Sequence, residues 1–190
     1  MIKLQKGDIL RSDAQALVNT VNCVGIMGKG LALQFKKAFP ENFEFYAQAS
    51  EHGRVHLGSM LVYDLNRMSG PRYIINFPTK QHWKDLSRLE DIEAGLKDLV
   101  KTVRELHIQS IAIPPLGCGL GGLRWSGVRP RIESAFATVP EVQVTLFEPS
   151  GGGAADSPEE GMRTNWLGKA KPFRGADGGA GEDTLHSSGD

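Results

Sequence analysis

Two clusters of glycine have the residue types and spacing most suited to chemistry in this sequence. The first is Gly25-Ile-Met-Gly-Lys-Gly30 and the second is Gly117-Cys-Gly-Leu-Gly-Gly122. Glycine lets backbone N–H groups approach a ligand closely and cradle phosphate oxygens. Two such loops beside one crevice would suit a diphosphate with a sugar on each side, whereas glycines that only form tight turns would bind nothing.

Strands must hold these loops in place. Six short segments, rich in β-branched residues and bounded by glycine, proline or polar residues, predict strands. The glycine clusters follow the second and the fifth of them, so both should lie at the carboxyl edge of one sheet, where α/β folds bind ligands. The six segments are Ile2–Leu4, Ala16–Val21, Ser59–Tyr63, Tyr73–Phe77, Ser110–Ile113 and Val142–Phe147.

Four helices are predicted between the strands. The clearest runs over Arg88–Leu106, where apolar residues recur at three- and four-residue spacing, and Ser87 with Glu90 has the spacing of a capping box. The alternation of strands and helices predicts a three-layer α/β/α sandwich around a mixed six-stranded sheet. The other helices are expected over Leu31–Ala38, Glu41–Glu51 and Pro130–Ala137, the last with proline at the favoured first position.

Composition divides the chain into two parts. Residues 1–150 carry 18 Lys and Arg against 15 Asp and Glu, whereas residues 151–190 carry 4 against 7 and hold ten of the 23 glycines. The second part has almost no apolar periodicity, so we expect one globular domain over 1–150 and a disordered glycine-rich tail over 151–190. Neither part is basic enough to bind many phosphates along a strand, so a nucleic-acid ligand would be held through one modified group.

The sequence predicts no cofactor. The two cysteines, Cys23 and Cys118, are too few for a disulfide framework and lack the paired spacing of a zinc site, so no metal is expected. The chain opens MIKLQKGDIL, without the apolar run of a signal peptide, and has no segment of membrane-spanning length. We expect a cytoplasmic protein that does not contact a membrane.

One alternative for the second glycine cluster is a dinucleotide-binding Rossmann unit. Residues 117–122 match the pattern G-x-G-x-x-G, and Glu148 ends the following strand. In that fingerprint, however, the third glycine opens a helix, whereas here seven residues separate Gly122 from Pro130. The unit would also stand at the end of the domain, so this interpretation is less favoured.

The order of several short motifs resembles the macrodomain family. Gly7-Asp8-Ile9 lies near the start, Asn19-Thr-Val-Asn22 closes the second strand, and the fifth strand runs into the second glycine cluster. These landmarks extend over essentially all of residues 1–149. Three longer segments look like the branch that contains DarG-type DNA ADP-ribosyl glycohydrolase antitoxins and the eukaryotic terminal ADP-ribose protein glycohydrolase. They are Gly28-Lys-Gly-Leu-Ala-Leu-Gln-Phe-Lys-Lys37, Asn76-Phe-Pro-Thr-Lys80 and Ile113-Pro-Pro-Leu-Gly-Cys-Gly-Leu120.

The resemblance implies an ADP-ribose site. Asp8 would accept a hydrogen bond from the adenine amino group while the Ile9 backbone donates to the ring. Asn22 would hold a hydroxyl of the distal ribose beside Thr20 and Val21. By itself, Asp8 is more typical of a turn or a cap, and Asn22 is equally typical of a turn. The other implied contacts, to the distal ribose and the diphosphate, come from Leu31, Ala32, Leu33, Gln34, Thr79, Gly117, Cys118, Gly119, Leu120 and Gly121.

Lys80 is the residue on which an enzymatic function depends. By itself a loop lysine is usually a solvated charge. The branch places a lysine after its fourth strand, however, and this resemblance implies that Lys80 and Asn22 are catalytic. An amine whose pKa is lowered by partial desolvation can attack the anomeric carbon of ribose or transfer a proton. The eukaryotic member has an aspartate after its GCGL motif that helps to release a lysine adduct, and Gly121 at that position disfavours such release.

The segment Lys80-Gln-His-Trp-Lys84 adds an aromatic residue and further positive charge beside the predicted catalytic point. Trp83 could stack on a nucleobase next to the modified one, with Lys84 on a phosphate. Alternatively, Trp83 is a partly buried residue that covers the loop. The sequence leaves both interpretations open.

The leading hypothesis is a hydrolase that removes ADP-ribose from thymine on single-stranded DNA and so acts as antitoxin to a DarT-like toxin. Its expected partners are ADP-ribose, ADP-ribosylated single-stranded DNA and that toxin. The alternatives are a reader module that binds ADP-ribose without catalysis and a protein-directed hydrolase of the terminal ADP-ribose type. Lys80 favours an enzyme over a reader, because a reader needs the phosphate loops but no amine at the anomeric carbon.

Overall fold

The computed structural model of the protein describes residues 1–150, so the tail predicted for residues 151–190 lies outside the described residues. Six strands form one sheet, and their bounds match the six predicted segments closely. The strands are β1 Ile2–Gln5, β2 Ala16–Asn22, β3 Leu61–Asp64, β4 Tyr73–Lys80, β5 Ser110–Ile113 and β6 Gln143–Phe147. Their order in the sheet is β1-β6-β5-β2-β4-β3. All neighbours are parallel except β3 and β4, which confirms the predicted mixed sheet.

Helices cover both faces of the sheet. They are α1 Gly30–Ala38, α2 Pro40–Glu51, α3 Leu89–Glu105 and α4 Trp125–Phe136, and a short 3-10 helix occupies Ile9–Arg11. Buried side chains of α3 and α4 share one hydrophobic cluster with the sheet, and those of α1 and α2 pack against the opposite face. The predicted three-layer α/β/α sandwich is therefore confirmed.

The alternation of side chains along the strands produces these two cores. In β2, Ala16 and Val18 belong to the cluster with α3 and α4, whereas Leu17 belongs to the cluster with α1. Successive residues of β4, Ile74 and Ile75, divide in the same way. Because a parallel strand between two helical layers is buried on both faces, these strands have nearly continuous apolar sequences.

Helix α4 begins earlier than predicted. It starts at Trp125, so Pro130 lies inside the helix rather than at its first position. Val128 is fully buried and Trp125 packs against the same core. Packing of this first turn outweighs the local cost of a proline within the helix, and the sequence pattern alone did not reveal that balance.

The capping box predicted at the start of α3 is wrong. Arg88 occupies the N-cap position and makes no side-chain capping bond. Ser87 is buried instead, and its backbone N–H donates to the carbonyl of Gly121 at 3.0 Å. Its hydroxyl oxygen has no hydrogen-bond partner within residues 1–150. Ser87 therefore supports the second glycine loop and does not cap the helix.

Candidate active site

A cleft of about 1020 Å³ lies along the carboxyl ends of the parallel strands. The order of the strands fixes the order of its lining groups. Asp8 follows β1 at one end, the two glycine loops follow β5 and β2 in the middle, and Lys80 ends β4 at the other end. The cleft thus offers a carboxylate, then backbone donors, then an amine. This order fits an elongated ligand with a hydrogen-bond donor at one end, an anionic centre and an electrophilic group at the other end.

Asn22 anchors the first glycine loop. Its Oδ1 accepts hydrogen bonds from the N–H groups of Val24 at 3.0 Å and Ile26 at 3.3 Å, and its Nδ2 donates to the Ile26 carbonyl at 2.7 Å. The buried hydroxyl of Tyr46 lies 2.8 Å from the Asn22 carbonyl and 3.0 Å from Oδ1. An amide nitrogen has two N–H donors. One Nδ2 hydrogen therefore remains for a ligand, and the predicted role of Asn22 stays a prediction.

The first loop leads directly into helix α1. Lys29 is the N-cap residue of α1 and makes no side-chain capping bond, and Gly30 adopts a left-handed φ of 59°. Both residues line the cleft together with Leu31. The first N–H groups of a helix have no partners within it and carry partial positive charge. This part of the cleft therefore favours an anion.

The second glycine loop presents backbone donors to the cleft. Its carbonyls are engaged, because Gly117 O accepts from Leu123 N–H at 3.0 Å and Gly121 O accepts from Ser87 N–H at 3.0 Å. The three consecutive N–H groups of residues 119–121 donate to no acceptor within the described part of the chain. Successive unpaired N–H groups in a turn form an anion-binding nest.

Two glycines of this loop differ in the space around them. A Cβ atom at Gly121 would overlap Ser87 Oγ and lie 2.5 Å from Gly117 O. A Cβ atom at Gly119 would meet nothing within 4 Å, and the φ of Gly119 is not left-handed. Position 121 therefore has no room for the aspartate of the eukaryotic hydrolase, whereas position 119 opens into the cleft.

A bulge at the end of β4 brings Lys80 to the cleft. Val21 pairs with Pro78, but the next residue of β2, Asn22, pairs with Lys80, so Thr79 is an extra residue on β4. Pro78 has no N–H group with which to continue the ladder, and bulges commonly redirect side chains near active sites. Thr79 Oγ1 donates to the Val21 carbonyl at 3.4 Å. The irregular register thus places Lys80 beside Asn22.

Two backbone carbonyls hold the Lys80 amine. Nζ donates to the carbonyl of Asp85 at 3.1 Å and to that of Leu120 at 3.2 Å. Within residues 1–150 no carboxylate forms an ion pair with Lys80. Burial lowers the pKa of Lys80, although the negative charge of Asp85 opposes the shift. At any given pH, Lys80 therefore holds more neutral amine than an exposed lysine.

Asp8 lies at the opposite end of the cleft. Its Oδ1 caps the short 3-10 helix by accepting from Leu10 N–H at 2.9 Å, and its Oδ2 lies 4.0 Å from Arg11 Nε. Asp8 is therefore a capping carboxylate that also lines the cleft. Its second oxygen remains accessible to a ligand donor, and its contact with adenine stays a prediction.

The cleft brings together fourteen of the sixteen site residues predicted from the sequence. Leu33 and Cys118 do not line it. Successive residues of a helix are rotated by about 100°, and Leu33 is directed elsewhere than its neighbours on α1. Cys118 is buried within its loop, and its N–H donates to the Pro115 carbonyl at 3.1 Å. The fourteen are Asp8, Ile9, Thr20, Val21, Asn22, Leu31, Ala32, Gln34, Thr79, Lys80, Gly117, Gly119, Leu120 and Gly121.

Several further lining residues were not predicted. Phe147 and Glu148 stand at the end of β6, the strand next to β1, and Pro114 and Pro115 precede the second glycine loop. A signal for Phe147 was present, because the last predicted strand ends there and the carboxyl ends of all parallel strands meet at one edge. The buried ring of Phe147 forms an apolar wall at the Asp8 end of the cleft.

The described residues offer no other obvious reactive group. Residues 1–150 contain no cluster of three or more His, Cys, Asp or Glu side chains that could bind a metal ion. Cys23 and Cys118 are both buried thiols, and burial raises the pKa of Cys23 to about 11, so its thiol is a poor nucleophile. No helix among these residues is long and apolar enough to cross a membrane.

Comparison with known proteins identifies the fold family. The family model of the Macro domain matches residues 18–132. The chain is 52% identical over 166 residues to the DNA ADP-ribosyl glycohydrolase of Mycobacterium tuberculosis, covering 87% of this chain and 47% of that protein. The solved macrodomain of M. tuberculosis DarG has a TM-score of 0.78 at 53% identity, covering 79% of this chain and 99% of that one. Thermosipho africanus DarTG, solved in complex with ADP-ribose, has a TM-score of 0.72 at 35% identity, covering 77% of this chain and 41% of that one.

The chain belongs to the Macro domain family. Within that family it is similar to the macrodomains of DarG proteins from two bacteria, at 53% and 52% identity. It spans less than half the length of three curated relatives that it matches, 47% in the two mycobacterial proteins and 41% in that of Thermus aquaticus.

Proposed function

We propose that this domain is a glycohydrolase that removes ADP-ribose from thymine on single-stranded DNA and thereby acts as antitoxin to a DarT-like toxin. Identity of 52% to proteins named DNA ADP-ribosyl glycohydrolase supports this function. The observation that carries the proposal is the Lys80 amine, which has a lowered pKa and stands at the end of a cleft lined by anion-binding loops. A module that only binds ADP-ribose has no need of this amine.

ADP-ribose fits the order of groups along the cleft. Adenine would lie between the carboxylate of Asp8 and the ring of Phe147. The diphosphate would accept hydrogen bonds from the N–H groups of residues 119–121 and from the first turn of α1. The distal ribose would then reach Asn22, with its anomeric carbon directed towards Lys80.

The proposed reaction adds one molecule of water. The bond between the anomeric carbon and the base nitrogen breaks, its electron pair leaves with the nitrogen, and the nitrogen takes up a proton. The water oxygen forms the new bond to carbon. Neutral Lys80 acts in one of two ways: it accepts the proton of the attacking water, or it forms a transient bond to the carbon that water then displaces. Gly121 supplies no carboxylate to release a lysine adduct, which favours the first of these two roles, and a pyrimidine base accepts the negative charge of its departure well.

The rate should depend on pH through the Lys80 amine. Burial disfavours the ammonium form, so the pKa lies below the ordinary value of 10.5 and the neutral amine forms at a lower pH than in an exposed lysine. We expect kcat/KM to rise about tenfold per pH unit on the acid side, with the midpoint of the transition to the plateau below pH 10.5. Discontinuous assays of ADP-ribose release at a series of pH values measure the pH profile of kcat/KM. A rate independent of pH would contradict a role for the neutral amine.

The substrate class can be tested directly. We expect the protein to release ADP-ribose from single-stranded DNA that carries it on thymine, at a rate insensitive to a metal chelator. Protein ADP-ribosylated on glutamate serves as the competing substrate, and Lys80→Ala as the negative control. Release from the modified protein alone would reject the proposed function. Release from neither substrate, with ADP-ribose binding retained in calorimetry, would identify a reader module.

A further inference from the structure

An aromatic side chain stands at the Lys80 end of the cleft without being needed for ADP-ribose. Trp83 lines the cleft, yet 43% of its surface is exposed. Tryptophan is highly buried on average in folded proteins, so covering the loop does not by itself explain an indole with this much exposed surface. The exposed indole is therefore available to a ligand that extends out of the cleft.

Hydrogen bonds hold the segment that carries Trp83. Asp85 Oδ2 accepts from His82 N–H at 2.9 Å, and Asp85 N–H donates to the His82 carbonyl at 3.0 Å. Gln81, at the start of the segment, is tied to the residue that follows β2, because Gln81 O accepts from Cys23 N–H at 3.0 Å. The backbone that carries the indole is thus held before a ligand arrives, which lowers the entropic cost of binding.

An ammonium group and a second ring lie close to the indole. Lys84 Nζ lies 4.9 Å from the centroid of the Trp83 ring, and the ring of His82 lies 5.3 Å from it. Lys29 lines the same cleft, and the exposed side chain of Leu120 adds apolar surface. An aromatic platform beside ammonium groups is the combination with which proteins bind single-stranded nucleic acid, the ring for a base and the cation for its phosphate.

We propose that Trp83 and Lys84 form a second subsite, which binds the nucleotide next to the modified base. Its base stacks on the exposed indole, and its phosphate contacts Lys84. This inference rests on the proposed function, since only a nucleic-acid substrate has a neighbouring nucleotide. In a duplex the neighbouring base is stacked and paired, so this subsite selects single strands.

Two substrates of different length test the subsite. The first is ADP-ribosyl thymidine alone, and the second is the same group within a trinucleotide. Stacking of one base predicts that the trinucleotide has a higher kcat/KM by about fivefold to about a hundredfold, mainly through KM. Trp83→Ala should reduce the ratio of the two kcat/KM values, trinucleotide over nucleoside, towards one, whereas Trp83→Phe should retain much of this ratio. Lys84→Ala should lower the ratio and its dependence on salt.

Leu86 provides a matched control within the same segment. It is 73% exposed and does not line the cleft, so Leu86→Ala should leave the ratio unchanged. An unchanged ratio in Trp83→Ala would overturn the subsite and leave this surface for a protein partner. A decrease of the ratio in Leu86→Ala as large as that in Trp83→Ala would overturn the subsite as well. Calorimetry tests the subsite even if the wild type proves inactive and the proposed function fails. It compares the affinity for the trinucleotide with that for ADP-ribose, first in Lys80→Ala and then in the double variant that also carries Trp83→Ala.

Discussion

Replacing Lys80 by alanine should reduce the turnover of ADP-ribosylated DNA by about a hundredfold to about ten-thousandfold, and by more if the amine is the nucleophile. Within residues 1–150 the amine donates hydrogen bonds only to two backbone carbonyls near the surface, so its loss should leave the fold nearly intact. Affinity for ADP-ribose should also change little, because the predicted adenine and diphosphate contacts come from other residues. Single-turnover assays measure the rate of ADP-ribose release, calorimetry measures the affinity for ADP-ribose, and thermal unfolding measures the stability of the fold.

Lys80→Arg is the control that separates charge from chemistry. The guanidinium group stays protonated at all accessible pH values, so it preserves positive charge but cannot act as a base or nucleophile. We therefore expect the arginine variant to be nearly as slow as the alanine variant. A rate close to that of the wild type would mean that position 80 stabilises charge electrostatically and takes no part in bond making or proton transfer.

Gly119→Val should weaken ADP-ribose binding by about tenfold to about a hundredfold or more while the melting temperature changes little. The new side chain meets no atom within 4 Å of its Cβ and requires no left-handed backbone, so the loop can accommodate it. It projects into the cleft, however, where it blocks hydrogen bonds from the N–H groups of residues 119–121 to an anionic ligand. Each such bond to a charged group contributes about 1.5–3 kcal/mol. Calorimetry measures the affinity for ADP-ribose, and thermal unfolding measures the melting temperature.

Gly127→Ala offers the comparison for this loop. Gly127 lies in α4, outside the cleft lining, and an added Cβ atom would come no closer than 3.9 Å to another side chain. Its substitution should leave the affinity for ADP-ribose unchanged. Unchanged affinity in Gly119→Val would show that the second glycine loop is only a turn and that the ligand lies elsewhere.

The sequence was informative wherever one local rule decided the structure. The apolar segments of β2 and β4 predicted central strands, because burial on both faces leaves little choice of residue. The position of the glycine clusters after strands two and five then predicted the cleft. Lys80 was found differently, through the resemblance of its Asn76-Phe-Pro-Thr-Lys80 motif to a known branch of macrodomains, since a lysine after a strand has no chemical meaning by itself.

Features that depend on pairing between distant segments were not predictable in the same way. The bulge at Thr79 exists only relative to β2, and no periodicity along β4 reveals it. The early start of α4 at Trp125 reflects packing against α3 and the sheet. Ser87 has the right spacing for a helix cap, but its contact with Gly121 comes from a loop more than thirty residues away in the chain.

The tight packing of Ser87 against Gly121 also constrains how this site can evolve. A lineage that gained an aspartate at position 121 in one step would acquire a side chain with no space to occupy, because both a hydroxyl and the Gly117 carbonyl stand in its path. Shortening Ser87 removes only the first obstacle. The effect of a substitution at position 121 therefore depends on the residue at position 87 and on the path of the second glycine loop. In this protein an aspartate at position 121 therefore requires the second glycine loop to shift together with the segment that carries residue 87.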